Sequence, residues 1–132
     1  MNFYNSIIVK DKNFKDLRQE IEAALKTEGF GILTEIDFQA TMKNKLEKEI
    51  LPHTILGACN PVYADKVVSL DPHVSTMLPC NVTLRQLEDE SVEVSTINPA
   101  AAMGSINNPT IELYAKEVQD KLLKVLELLW RM

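Results

Sequence analysis

Apolar positions in this chain change their period several times, and each change marks an element boundary. The run "FYNSIIV", rich in aromatic and β-branched residues, predicts a first strand over Phe3–Val9. Phe14, Leu17, Ile21, Ala24 and Leu25 then recur at steps of three and four, which predicts an amphipathic helix over Phe14–Glu28. Asn13 is placed to cap it, Asp16 sets a negative charge against its positive end, and Gly29 follows as the left-handed residue past its last turn. Phe30–Gln39 alternates, with Ile32, Thr34, Ile36 and Phe38 expected on one face and Leu33, Glu35, Asp37 and Gln39 on the other. Ala40–Leu51 reads as a short helix and connector stopped by Pro52, and His53–Cys59 as the third strand. Pro79–Leu87 and Ser91–Ile97 form a hairpin across the polar turn at Asp89 and Glu90. Pro109–Trp130 carries the longest helical stripe, from Ile111 through Val118 and Leu122 to Leu129. Leu123 and Trp130 widen that stripe on its flank, which fits a thick core or a self-association edge equally well.

Asn60-Pro61, Asn98-Pro99 and Asn108-Pro109 repeat one device: an Asn at the capping position and a Pro at the first helical position, where its missing N–H costs nothing. Helices are therefore expected to start at residues 61, 99 and 109. The 132 residues suit one domain with a real core, since a chain of this size buries roughly two-thirds of its unfolded surface.

Composition narrows the partners. Apolar residues at 45% and charged residues at 25% are ordinary globular values. The net charge of −5 disfavours a nucleic-acid partner, which needs a basic face to displace counterions, and "KNKLEKE" mixes both signs. The opening "MNFYNSIIVKDKNF" lacks the apolar core of a signal peptide, and no stretch is apolar enough to span a membrane. A cytoplasmic protein with reduced thiols is the expectation.

The candidate chemistry gathers at the two cysteines, each followed at once by asparagine: Cys59-Asn60 and Cys80-Asn81. Cys59 precedes the cap of the helix expected at Pro61, where the dipole favours a thiolate. Cys80 opens the next strand, so antiparallel pairing of the third and fourth strands brings both sulfurs to one end of the sheet. Inert core cysteines, ligand-binding or reactive thiols, and a redox pair all remain open. A zinc site has little to stand on, because there is no C-x-x-C and His53 and His73, read as exposed loop residues, lack ligand spacing. A Cys-His nucleophile likewise has no visible base. Glu35 and Asp37, two apart on one strand face, are able to hold a hard cation or divide acid and base roles. Met77 and Met103 read as gap-filling core residues, and the glycines form no phosphate loop.

"FGILTEIDFQATMK", "ILGACNPVYADK", "MLPCNV" and "INPAAAM" resemble, in that order, the motif blocks of the prokaryotic family called domain of unknown function 302, over essentially the whole chain. By position, Glu35, Asp37, Cys59, Asn60, Pro61, Leu78, Pro79, Cys80, Asn81 and Pro99 match those blocks. The resemblance implies an α+β, TATA-binding-protein-like fold in single copy. Its order is β-α-β(4)-α: a curved antiparallel sheet against two main helices, with short inserted helices. It also implies a homodimer. It brings no activity, and likeness of fold does not bring DNA binding.

The favoured expectation is a non-enzymatic homodimeric module binding a small ligand or metal near Cys59 and Cys80, with Asn60, Asn81, Glu35 and Asp37 as further candidate contacts. A thiol enzyme or redox protein using Cys59 is the first alternative, and a scaffold with core cysteines the second.

Overall fold

A computed structural model describes residues 2–131. Its strands are β1 (Tyr4–Val9), β2 (Gly31–Asp37), β3 (His53–Cys59), β4 (Cys80–Gln86) and β5 (Val92–Ile97). Its helices are α1 (Phe14–Thr27), α2 (Phe38–Leu46), α3 (Pro61–Leu70), α4 (Pro99–Ala102) and α5 (Pro109–Arg131), with 3-10 turns at Pro72–Met77 and Gly104–Ile106. The strands make one antiparallel sheet in the order β1-β5-β4-β3-β2, an α+β fold.

Local signals set α1. The Asn13 side chain accepts from the amides of Lys15 and Asp16. At the other end Gly29 adopts φ +85°; its amide donates to Lys26 and that of Phe30 to Leu25. That pair of bonds is a Schellman closure, and Leu25 and Phe30 enter the same core cluster. The helices expected after the Asn-Pro pairs all form.

The main core lies between one sheet face and the buried faces of α1 and α5. Leu56, Val82, Leu84 and Val94 from the sheet meet Leu17, Ile21, Leu25, Leu122 and Val125. A second, smaller cluster joins Val67 of α3, Val74, Met103, Ile111 and Ala115. Burial of a Leu or Val side chain contributes roughly 1.5–3 kcal/mol, so these two clusters hold the fold. Trp130 and Leu123 stay exposed on the flank of α5.

Several expectations change here. β2 ends at Asp37, because Asp37 caps α2 through its carboxylate and Phe38 is already helical. The expected faces of β2 also break, because its pairing with β3 shifts between Ile32 and Thr34, leaving Leu33 as an extra residue. Such a bulge reverses which side chains face in. Ile32 pairs with buried Ala58, whereas Glu35 and Asp37 fall opposite Leu56 and Thr54, in the helix-covered row. His53 opens β3 as the strand pattern predicts, but it is half-buried rather than exposed, with its ring 5.0 Å from that of Phe38. Met77 is 39% exposed at the end of its 3-10 turn, and only Met103 fills core.

Candidate functional site

The second half of β3 and the start of β4 build the site. Ala58 pairs with Cys80 and Gly57 with Asn81, so the third and fourth strands bring the cysteines to the same end of the sheet. Cys80 shares the inward row with Val82 and Leu84 and is buried; Cys59 is half-buried at the point where β3 gives way to α3. Both border one cavity of about 30 Å3 between the sheet end, α3 and α5. Its walls come from both core clusters: Phe30, Ala58 and Val118 on one side, Val67, Met103 and Ala115 on the other. The cavity is therefore the seam where two cores meet incompletely. Among the described residues that line it, only Asn60, Tyr63 and Tyr114 carry side-chain nitrogen or oxygen, and the surface facing the cavity is almost all carbon and sulfur. That volume has room for about two waters, with few polar partners for either, so an apolar occupant suits it better than water.

Burial pushes the Cys80 thiol up to about 11, and the neighbouring Cys59 thiol pushes it in the same direction. At neutral pH roughly one Cys80 in ten thousand is then a thiolate, by the pKa relation. Asn60 was expected to cap α3, and it does not. Its side chain turns the other way, and Nδ2 donates to the carbonyl of Glu28 at 3.1 Å. The other two Asn-Pro pairs cap as expected: Asn98 accepts from Ala101, and Asn108 from Thr110 and Ile111.

The remaining candidates lie elsewhere. Asn81 is exposed in the opposite row and borders a shallow hollow with Phe3, Tyr4 and Ile97. Glu35 and Asp37 border a wide polar groove that also meets Arg18 and His53. There Arg18 donates to Glu35 through Nε at 3.1 Å and Nη2 at 2.5 Å, and to Glu22 through Nη1. Hydrogen bonds to those two carboxylates hold the Arg18 pKa above its ordinary value. Glu35 is thus spent on an ion pair and Asp37 on a helix cap, although the two share one row of β2. His53 is held below the ordinary imidazole range by burial first and by Arg85 second. Among the described residues, no group of three or more His, Cys, Asp or Glu side chains is arranged to hold a metal ion. The cavity residues that sequence reasoning missed are the tyrosines; Tyr63 carried a signal, standing inside the "NPVYADK" block four residues past Cys59.

Fold and site together define a small α+β domain with a one-sided antiparallel sheet and a thiol-bordered apolar cavity. The family model described as "Domain of unknown function DUF302" matches residues 6–129, and the chain belongs to that family. Its fold is similar to the crystal structure of uncharacterized conserved protein DUF302 from Bacillus stearothermophilus. The TM-score is 0.89 at 24% sequence identity, covering 96% of this chain and 98% of that one. None of the curated proteins compared matches.

Proposed function

We propose that this protein is a cytoplasmic, homodimeric binding module that takes a small apolar group into the cavity between Cys59 and Cys80. The observation that carries this reading is the convergence of both thiols on one carbon-lined cavity at the seam of two cores. Binding is favoured over thiol catalysis because, among the described residues, no His, Asp or Glu lines the cavity to serve Cys59 as a base. An organic group is favoured over a metal because only two thiols and no third ligand converge there among the described residues. The dimer draws support from Leu123 and Trp130, which expose apolar surface beside edge strand β1. No helix among the described residues is long and apolar enough to cross a membrane, and both cysteines are free, which fits the cytoplasm.

Xenon under pressure is the probe for the cavity. Saturable methyl shifts are expected at Val67, Met103 and Val118 in carbon-detected spectra, and Ala64→Leu, which adds bulk to the wall, should remove them. Unsaturable shifts, or shifts centred elsewhere, would refute the reading. Native mass spectrometry tests the dimer, whose expected mass is twice that of the chain; a monomer at micromolar concentration overturns it.

A further inference from the structure

Two lysines lie against the tyrosines that wall the cavity. Tyr63 and Tyr114 form part of its wall, with ring centroids 6.1 Å apart at 70°. The Lys66 ammonium lies 5.3 Å from the Tyr63 centroid and 5.1 Å from that of Tyr114. Lys121 approaches the Tyr63 ring as well, at 6.0 Å. Two cations therefore gather around one ring. Among the described residues no carboxylate lies within ion-pair distance of Lys66, while Lys121 reaches Glu28 only at 4.0 Å. Neither tyrosine hydroxyl is engaged in a hydrogen bond with another described residue.

We propose that the cavity takes a short-chain carboxylate, its aliphatic body against the two thiols and its carboxylate emerging beside the Tyr63 ring, where Lys66 and Lys121 reach it. This rests on the cavity being a ligand site, and it adds the chemical class. Like charges around one ring repel, and an anion placed between them turns that repulsion into two attractions. A cation–π contact at an exposed site is weak, whereas a charge-assisted hydrogen bond to a carboxylate is stronger, so Lys66 gains by swinging to an anion. Cavity size sets the body: room for about two waters admits a tail of roughly two to three carbons.

The test compares butyrate, butan-1-ol and butylammonium, which share a body and differ in head group, by methyl shifts at Val67, Met103 and Val118. Butyrate should bind at least about ten-fold more tightly than either analogue, and weaken as salt rises. Lys66→Met should reduce butyrate affinity about ten-fold, and Lys121→Met should reduce it less because Glu28 already shares that charge. Xenon binding should be unchanged in both variants. Equal binding of the three compounds, or butyrate affinity indifferent to Lys66→Met, overturns the carboxylate assignment while xenon binding leaves the cavity reading standing. If neither xenon nor butyrate enters, both readings fall.

Discussion

Asn60 Nδ2 donates to the main-chain carbonyl of Glu28 at 3.1 Å, across 32 positions of sequence, and so ties the end of α1 to the junction of β3 and α3. Asn60 is 8% exposed, and a β-carbon on Gly29 would stand 3.2 Å from its Nδ2, so the clamp closes tightly. It holds Cys59 and the first turn of α3 over the cavity. Asn60→Ala leaves a carbonyl without its donor, and Asn60→Asp replaces the donor with a carboxylate facing that carbonyl. Losses of about 1–3 kcal/mol are expected in urea unfolding, larger for Asp, with faster alkylation of Cys59 in the folded protein. Unchanged stability in both variants would show that the bond is replaceable by water.

Gly57 is needed for space rather than for backbone freedom. A β-carbon there would meet Thr34 Oγ1 at 2.2 Å and Pro79 Cγ at 2.7 Å, contacts that no side chain tolerates without movement. Gly57→Ala should therefore cost about 1–3 kcal/mol. Adding Thr34→Ala should restore part of that loss, a non-additivity readable in a double-mutant cycle.

Cys80 sets a pH limit. Its thiol is neutral in the folded protein up to about 11, against an ordinary value of ~8.5 once unfolded. The unfolded chain therefore releases its proton first as pH rises. The stability this group contributes is fully present below about pH 8.5 and is lost as pH climbs through 11. Relative to Cys80→Ala, the parent protein should lose roughly 3 kcal/mol more over that window. Parallel pH curves for the two proteins would contradict this.

Glu35 and Asp37 do different work although they are two residues apart. Asp37 accepts from the Ala40 amide at 2.9 Å as the cap of α2. Asn is as good a cap as Asp, so Asp37→Asn should leave stability nearly unchanged, and Asp37→Ala should cost about 1 kcal/mol by thermal unfolding. A large loss in Asp37→Asn would assign the charge itself a role in the polar groove.

His53 is expected to titrate below its ordinary ~6.5, with burial as the main cause and Arg85 as the second. Followed by proton NMR, Arg85→Gln should move its midpoint upward only part of the way, because the burial remains.

The element order was legible in the sequence because it rests on short-range physics. Period, capping side chains and prolines act over three or four residues, and they located α1, the three Asn-Pro helix starts and the β4–β5 hairpin. The meeting of both cysteines at one sheet end followed from antiparallel pairing of neighbouring strands. The faces of β2 were not legible, since one bulged residue at Leu33 reverses every side chain after it without altering local composition. Nor was the job of Asn60: the same Asn-Pro pair caps a helix at Asn98 and Asn108, and at Asn60 a distant carbonyl competes for the side chain and wins. The cavity and the lysines gathered on its tyrosines belong to the same class. They arise where two cores from separate stretches of chain meet, and a pattern read along one strand or helix holds no record of how closely such surfaces fit.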